Sequence, residues 1–555
     1  MPCTHPILRP PRCSRAPQSH LPWYRGGVRG RRRLALRAAA ALAAFASATV
    51  MPGRQVAGQE PRLDVREHTL PNGMQVLIVP RRGAPTFSAH LRFNVGSVDE
   101  ASGQTGLAHF LKHLLFKGTR RIGTRDADAE LLLLRESDAL RGALQDERAR
   151  PGGGDALRAA DLQLRIDALE AQAKSLVAKN ELWEIYRRNG AVRLNASTGR
   201  DSTQYVVSLP KNRLALWARL EADRMRDPVF REFYAERDVV LEERRQRVET
   251  RPEGRLYEAL FATAFACLPY GHSIVGNEAD VRAHTRAAAN DFFRAHYGPN
   301  NAVLALVGDL DPEETFRVVA EHFASIPRRD PPAPAPPACA AEPAGERRAT
   351  VPFAAQPRVL IAYRTPPYGH PDRPGLGVAA MLLGDGRTSR LQRNVVEGER
   401  IGFRATASLA PLRRGGLFVL DGSPRAPHTA ADLEGTLLRE VDRLSSEPVS
   451  EEELERVRAQ LDGAAVRAMQ SDGALASLLA GAQAQAGDWH YFLEARRLAK
   501  AVTAADLLRL ARQYLTAANR TVVTLVPAGE AAARGAAGAG GPGLGAGEDR
   551  DDERR

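Results

Sequence analysis

The sequence predicts an α+β protein with two homologous lobes, each a mixed β-sheet packed with helices. Its 555 residues are more than one ordinary hydrophobic core uses, so they predict two to four domains. Stretches of alternating apolar residues, typical of strands, are interspersed with stretches of helical periodicity. Near the end of both halves a helix is followed by a tyrosine, an asparagine and a strand, which indicates a distant duplication.

A Pro- and Ala-rich stretch divides the two halves. Residues 329–350 have the extended, semi-rigid composition of an interdomain linker. We therefore expect a first lobe over residues 65–328 and a second lobe over residues 351–527. The Ala/Gly-rich and then charged residues 528–555 are predicted to form a disordered tail.

Positive charge is concentrated at the N-terminus. The chain has a formal net charge of +12 and a pI near 9.8, which suggests a nucleic-acid partner. Residues 1–48, however, hold nine arginines and no acidic residue. Removing these nine charges from the total leaves only +3, so the rest of the chain gives no reason to expect nucleic-acid binding.

The same residues, 1–48, are predicted to be a signal peptide. A basic stretch ending at Arg37 precedes a short apolar run that closes with Ala-Ser-Ala at residues 46–48, a typical cleavage site. The run is too short for a stable membrane anchor, so we expect a periplasmic or secreted protein. Because the basic stretch is unusually long, translation starting near Val28 is a second interpretation. The two cysteines that remain after export make no disulfide framework.

The first lobe is predicted to begin with two strands and a helix. A turn at residues 70–73 leads into a strand over residues 74–79, and residues 86–96 alternate as a second strand. The apolar residues that follow recur at helical intervals, which predicts a buried amphipathic helix over residues 106–119. The later elements of this lobe are a strand, three helices and a closing strand, over residues 204–209, 212–225, 232–249, 287–296 and 302–307.

Residues 125–179 interrupt this plan and are predicted to form an inserted helical hairpin. Leucines recur at heptad-like intervals between charged residues, and Pro151 with three following glycines breaks the stretch in the middle. Two arrangements remain open, a coiled-coil protrusion and a pair of helices docked on the lobe. We favour the protrusion, and with it a hairpin that is dispensable for folding.

The helix over residues 106–119 carries two histidines at metal-ligand spacing. His109 and His113 are one turn apart on one face, so both can reach a single ion. A catalytic zinc site takes three protein ligands and keeps its fourth position open. The third ligand is expected in the charged helical segment over residues 234–245. By themselves, two histidines at this spacing arise easily by chance, and one acid in so charged a segment is more typical of a solvated surface.

Taken together, the motifs resemble the insulinase/pitrilysin/processing-peptidase family of zinc metallopeptidases. The motifs are a Leu-Pro-Asn-Gly turn before a strand, the histidine helix, the stretch Asn-Ala-Ser-Thr at residues 195–198, and two glutamates seven residues apart. The resemblance covers roughly residues 65–527, is specific in the first half and rests mostly on spacing in the second. It implies two homologous α+β halves of a kind that pairs into a closed chamber for peptides.

The resemblance implies a role for each matching residue. His109 and His113 match the zinc-binding histidines and Glu243 matches the zinc-binding glutamate, so one zinc ion is expected in the first lobe. Glu236 matches an acidic residue that supports the site. In the second lobe, the helix over residues 376–383 has an Ala-Ala-Met-Leu-Leu run where the first has its histidines, so no metal is expected there.

The resemblance also implies a peptide-binding strand and a partner subunit. Asn195 and Ala196 fall on the strand that binds substrate backbone by strand addition. Family members with two halves per chain commonly act as dimers, one subunit with the zinc motif and the other without it. We therefore expect a peptide or unfolded polypeptide as substrate and a homodimer or a heterodimer with a family homologue, with no nucleic acid and no stable membrane anchor.

Lys112 departs from the family pattern. In the inverted zincin motif His-x-x-Glu-His the glutamate activates water, and this sequence has Lys112 in its place. A general base typically contributes a factor of about 10² to 10⁴ in rate. Protonated lysine has three donors and no acceptor, so it cannot take a proton. The sequence therefore predicts a zinc site that is inactive or very slow.

Three alternatives for Lys112 remain open. Burial beside a cation can lower its pKa, so that a neutral amine serves as the base or binds the metal. The side chain can turn away and leave zinc bound with little turnover. One base change separates lysine and glutamate codons, so a sequencing error is the third. Two functions follow: an exported metallopeptidase with impaired hydrolysis, or a non-catalytic peptide-binding subunit whose active partner is another chain.

The remaining histidines and one glycine-containing loop predict no further site. The loop over residues 384–390 fails the spacing of a phosphate-binding loop, so nucleotide binding is rejected. Five other histidines have no partner at ligand spacing and are expected to be structural: His68, His90, His272, His370 and His490.

Overall fold

The computed structural model describes residues 63–333 and 345–527. The predicted signal peptide over residues 1–48, the predicted tail over residues 528–555 and the middle of the predicted linker lie outside the described residues. Among the described helices, none combines the length and the apolar composition needed to cross a bilayer.

Residues 63–333 form a mixture of strands and helices. In chain order they are β1 (Arg66–Thr69), β2 (Gln75–Pro80), β3 (Thr86–Phe93), α1 (Leu107–Leu114), α2 (Ala127–Ala149), α3 (Ala156–Leu176), α4 (Glu181–Arg188), β4 (Val192–Thr198), β5 (Thr203–Pro210), α5 (Leu214–Arg226), α6 (Phe233–Arg244), α7 (Pro252–Ala264), α8 (Glu278–Ala283), α9 (Arg286–His296), β6 (Ala302–Gly308) and α10 (Pro312–Phe323). The strands form one sheet in the order β1-β2-β6-β3-β5-β4. Within it β2 and β6 are parallel and the other neighbours are antiparallel.

Residues 345–527 form a second sheet with its own helices. In chain order the elements are β7 (Arg347–Pro352), β8 (Arg358–Thr365), α11 (Arg373–Gly384), β9 (Gly402–Leu412), β10 (Gly415–Pro424), α12 (Ala430–Ser446), α13 (Glu451–Gln470), α14 (Asp472–Ala486), α15 (Tyr491–Ala501), α16 (Ala504–Tyr514) and β11 (Arg520–Val526). The sheet order is β7-β11-β8-β10-β9. Here β7 and β11 are parallel and the other neighbours are antiparallel.

The two sheets share one plan. Without β1, the order β2-β6-β3-β5-β4 matches β7-β11-β8-β10-β9 strand for strand, and the parallel pair has the same place in both. The strand in the middle is followed by a buried helix in each half, α1 after β3 and α11 after β8. The predicted α+β class, with two lobes that repeat one arrangement, is therefore confirmed.

Each sheet has a face covered by a helix from the other half. Leu475 and Leu479 of α14 pack against the apolar side chains of β2 and β6 in the first sheet. Leu256 and Leu260 of α7 pack against β8, β10 and β11 in the second sheet. Because the apolar face of a sheet must be buried, each lobe depends on a helix that the other supplies.

Among the features that differ from the sequence prediction or add to it, three bear on the site or on the domain boundary. β7 begins at Arg347, inside the range predicted as linker, because it pairs with β11 along its whole length. Helix α10 was not predicted, although Asp311 accepts a hydrogen bond from the Glu314 N–H and Pro312 starts the first turn. Cys267 is disulfide-bonded, which the sequence did not predict.

The insertion consists of α2 and α3, which pack against each other along their length. Near the turn that joins them, Leu144, Leu162 and Ile166 form a small apolar cluster of their own. At the other end, Leu134 of α2 and Ala173 of α3 pack against Val229 of the lobe. The outer part of the hairpin thus has its own core, while the base shares one with the lobe.

A buried ion pair also fixes the base of the hairpin. Glu130 of α2 and Arg231, which precedes α6, are 0 % and 1 % exposed, and Arg231 Nε lies 2.9 Å from Glu130 Oε1. Arg231 also donates hydrogen bonds to the backbone oxygens of Lys117, Thr119 and Ile122. That the hairpin is dispensable for folding stays a prediction, and the contacts at its base count against it, because removing the hairpin also removes the carboxylate that pairs with Arg231.

We expect the substitution Glu130→Ala to lower the free energy of unfolding by about 3–5 kcal/mol, because it leaves a buried guanidinium unpaired. The matched control is Asp128→Ala, which removes an exposed ion pair with Arg120 from the same helix and should cost less than about 1 kcal/mol. Urea denaturation followed by circular dichroism measures both changes. Equal and small losses would mean that the hairpin base does not stabilise the lobe.

Candidate metal centre and adjoining cleft

The start of α1 is fixed by a glycine turn and a buried carboxylate. Gly106 precedes the helix at φ +91°, where a Cβ atom would lie 2.4 Å from the Val275 carbonyl oxygen. Glu100, which is completely buried, accepts hydrogen bonds from the N–H groups of Gly106 and Ala108. His272 Nε2 lies 3.1 Å from Glu100 Oε2. Glu100 thus satisfies two backbone donors at the helix N-terminus and places a carboxylate there.

One face of α1 is anchored in the core of the first lobe. Leu107, Leu111 and Leu114 are fully buried, and the ring of Phe110 lies 4.8 Å from that of Phe233 in α6. The helix is therefore held firmly against α6. Its remaining face carries the two histidines, as the helical spacing predicts.

His109, His113 and Glu243 converge. His109 Nε2 lies 3.2 Å from Glu243 Oε2, His113 Nε2 lies 3.0 Å from the same oxygen, and the two Nε2 atoms are 3.3 Å apart. A tetrahedral zinc ion with bonds of about 2.0–2.1 Å has ligand atoms about 3.3 Å apart, so the spacing fits zinc. Within residues 63–333 and 345–527 this is the one group of three potential ligands that lie close enough together to share an ion.

Glu236 lies behind the triad, two helical turns before Glu243 on α6. Its Oε1 lies 3.0 Å from His113 Nδ1, and its Oε2 accepts a hydrogen bond from the Lys117 ammonium group at 2.7 Å. A carboxylate on the second nitrogen of a histidine fixes the ring orientation and leaves the other nitrogen free for a metal. The structure thus brings the predicted supporting acid into contact with a predicted ligand.

The surroundings of the triad favour a neutral His109 and ionised carboxylates. Burial and the charge of Lys112 lower the pKa of His109 to about 4, despite the contact with Glu243. Burial raises the pKa of Glu243, but its contacts with both histidines outweigh burial and lower the pKa far below its usual value. For Glu236 hydrogen bonds similarly outweigh burial and lower the pKa to about 2. Neutral imidazole and carboxylate are the forms that bind metal ions, so His109 and both glutamates are in their binding forms. For His113, burial lowers the pKa, but its hydrogen bonds with Glu236 and Glu243 outweigh burial and raise it.

Lys112 lies beside the triad. Its half-buried side chain lines the same cleft as His109, so it is turned toward the site rather than away from it. Its ammonium group has no hydrogen-bond or ion-pair partner in the part of the chain that the structure describes. Burial lowers the pKa of Lys112, and the nearby charge of Arg247 lowers it further, whereas Glu243 and Glu236 raise it.

An open cleft of about 440 Å³ adjoins the triad. The end of β4 lines it, including the predicted residues Asn195 and Ala196, and so do Tyr257 and Glu258 of α7. In the described sheet β4 is an edge strand that pairs only with β5. Its outer backbone groups can therefore accept an extended peptide as an additional strand.

Three residues that shape the site were not predicted. Arg247 Nη1 lies 2.7 Å from Glu243 Oε1, and the four-residue spacing between them on one helical face was a usable signal. Glu100 lies in a loop without periodicity, so only the structure reveals that it holds α1. Lys117 pairs with Glu236 across a sequence separation that no local pattern spans.

Two family models match the chain. The one described as "Insulinase (Peptidase family M16)" matches residues 75–133 and 174–278, and the one described as "Peptidase M16 inactive domain" matches residues 284–461. The gap between the first two matched segments contains most of α2 and α3. The hairpin is therefore an addition to what the family model describes.

Individual proteins are similar over most of the chain. Zinc protease PqqE of Helicobacter pylori is 27 % identical over 467 residues, which cover 83 % of this chain and 92 % of that protein. The crystal structure of a protease from Helicobacter pylori matches with a TM-score of 0.71 and 25 % identity, over 84 % of this chain and 100 % of that chain. The periplasmic protease PqqL from Escherichia coli shares the fold, with a TM-score of 0.62 and 19 % identity over 86 % of this chain and 49 % of that chain.

Proposed function

The chain belongs to the insulinase family of zinc metallopeptidases, and on this premise we propose that it binds zinc and captures peptides but hydrolyses them very slowly. One observation carries this function: a set of three converging ligand atoms has a cation, Lys112, at the position of the general base. The metal ligands and the peptide strand are retained, whereas the group that activates water is not.

We assign His109, His113 and Glu243 as the ligands of one zinc ion, with Glu236 orienting His113. The nitrogen and oxygen donors suit zinc, and their mutual distances of 3.0 to 3.3 Å support a tetrahedral arrangement. Zinc bound there supplies Lewis-acid chemistry to a peptide carbonyl and a water molecule. The corresponding helix α11 carries only apolar residues at its buried face, which supports a single ion in the first lobe.

The peptide is proposed to bind along β4. Backbone hydrogen bonds to the free edge near Asn195 and Ala196 give affinity without demanding a particular sequence. The same cleft contains His109, so a peptide bound on β4 passes the metal ligands. This arrangement suits an extended or unfolded polypeptide.

Hydrolysis needs a group that takes a proton from water and returns it to the leaving amine. Protonated Lys112 has hydrogen-bond donors but no acceptor, so it cannot take this proton. Nearby carboxylates are already engaged, because Glu243 contacts both histidines and Arg247, and Glu236 contacts His113 and Lys117. Glu258, the acid among the described residues that line the cleft, is paired with arginines 244 and 255. No free carboxylate therefore replaces the missing base within the described cleft.

The same observation favours a second function, that of a non-catalytic subunit in a paired peptidase. A homodimer contains Lys112 in both copies, so it does not supply the base. A heterodimer with a homologue that keeps His-x-x-Glu-His supplies it from the other chain. Co-expression with such a homologue, followed by size-exclusion chromatography and a peptidase assay, tests this function.

We also propose export to the periplasm or the exterior. The basic and then apolar residues 1–48 support this proposal, as does the shared fold with a protease described as periplasmic. N-terminal sequencing of the protein recovered from the periplasm measures the cleavage site.

We expect the purified wild-type protein to bind one zinc ion per chain. Glu243→Gln should weaken zinc binding by at least about 100-fold, since it removes a charged ligand, and Glu236→Gln by about 10- to 100-fold through the orientation of His113. The matched control is Glu242→Gln, which changes an exposed neighbour paired with Arg245 and should leave zinc binding unchanged. Chelator competition with metal analysis measures all four proteins. Equal affinity in Glu243→Gln and wild type would remove Glu243 from the ligand set.

We expect Lys112→Glu to raise kcat/KM for peptide hydrolysis by a factor of at least about 10², the contribution of a general base. Lys112→Gln is the matched control, because it removes the positive charge without providing a base, and it should stay as slow as wild type. Zinc content is measured on each variant so that activity is compared at equal loading. Brisk hydrolysis by the wild type that Lys112→Gln abolishes would instead identify Lys112 as a working base.

A further inference from the structure

The cleft beside β4 is lined by more positive than negative side chains. Lys112, Arg200 and Arg247 line it, and Glu258 is the one acid among its described lining residues. Arg200 is committed, because it donates hydrogen bonds to the backbone oxygens of residues 270 and 272. Glu258 is also committed, to two arginines outside the cleft lining. Lys112 and Arg247 are therefore the charges that face a bound ligand.

Lys112 retains its full capacity to donate hydrogen bonds. Its ammonium group has three N–H donors and, among the described residues, no acceptor. It is also half-buried, so water solvates it less completely than it does a surface lysine. A partly desolvated cation without a partner is a favourable place for an anion.

Arg247 adds a second charge with free donors. One of its nitrogens contacts Glu243 Oε1, whereas the side chain as a whole is 64 % exposed. A guanidinium group has five N–H donors in a planar fork, so most remain available after one contact. Within the described structure, Glu243 is its only ion-pair partner.

Neither of the neighbouring acids is paired with Lys112. Glu243 directs Oε2 to both histidines and Oε1 to Arg247. Glu236 directs its two oxygens to His113 and Lys117. Neither carboxylate therefore accepts a hydrogen bond from Lys112. The negative charge of the two carboxylates would be offset by a divalent ion bound to the triad.

We propose that Lys112 and Arg247 bind a carboxylate carried by a peptide that lies on β4, which presupposes the peptide binding proposed above. The carboxylate is either the C-terminus of the peptide or an aspartate or glutamate side chain. Lys112 and the end of β4 line one cleft, so a peptide paired with this strand brings its own charged groups to Lys112. Lys112, which stands in the place of the general base, thereby makes the site a receptor for negatively charged peptide groups.

Isothermal titration calorimetry on the full-length, zinc-loaded protein tests this inference with three short acetylated peptides. The first has a neutral sequence and a free C-terminal carboxylate, the second has the same sequence and a C-terminal amide, and the third is the amide with one central Glu in place of Gln. We expect one of the two carboxylate peptides to bind at least about tenfold more tightly than the neutral amide, as a charge-assisted hydrogen bond implies. Preference for the first peptide identifies a C-terminus as the ligand, and preference for the third identifies a side chain.

Variants separate the role of Lys112 from general electrostatics. Lys112→Met should abolish the preference for the carboxylate, whereas Lys112→Arg should retain it. Lys179→Met, on an exposed lysine of the lobe surface, changes the net charge equally and should also retain it. Repeating the titration after zinc removal tests whether zinc itself binds the carboxylate, in which case the preference survives in Lys112→Met and disappears with the metal.

Three results would overturn the inference. Equal affinity of the wild type for all three peptides would mean that Lys112 is only hydrated, while peptide capture itself stands. A preference that survives in Lys112→Met would assign it to another group. Failure of the wild type to bind any of the peptides would instead contradict the proposed function, and the carboxylate receptor with it.

Discussion

The packing of α1 against α6 is the interaction on which the metal centre depends. The ring of Phe110 on α1 meets that of Phe233 on α6, and about one turn beyond Phe233 the latter helix presents Glu236 to His113. Arg231, just before α6, binds the backbone of the loop that follows α1, and the same side chain holds the base of the inserted hairpin through Glu130. The insertion, which lies largely outside the family model, is therefore tied to the segment that positions the proposed metal ligands.

Lys112 changes the chemistry of the centre without removing its parts. The ligand atoms of His109, His113 and Glu243 have a spacing suited to zinc, although Lys112 lies beside them. The structure tolerates the charge because the side chain faces an open cleft and two ionised glutamates lie nearby. A cation in this position donates hydrogen bonds and attracts anions, whereas the glutamate of the family motif accepts protons. In the function proposed here, peptide capture and peptide hydrolysis depend on different groups, and this one residue separates them.

Much of the fold could be predicted because its strands and helices have clear apolar periods, as in α1 and in β6 and β11, the last strands of the two halves. The histidines followed from helical spacing, but Glu243 followed only from the family pattern, since one acid in a charged helix has no local signal. The covering of the first sheet by α14 could not be predicted, because contacts such as that between Gln75 and Gln483 join distant parts of the chain. Glu100 was missed for the same reason, and β7 was assigned to the linker because its pairing with β11 decides its structure.

Retention of the metal and of the peptide site without turnover is the central claim of this account. Its most direct test is a crystal structure of the zinc-loaded, full-length wild-type protein with a bound peptide, with anomalous data collected at the zinc absorption edge. We expect one anomalous peak in contact with His109, His113 and Glu243, and an uncut peptide paired with β4. A zinc peak elsewhere in the chain, or a peptide cleaved into two fragments in the cleft, would contradict the account.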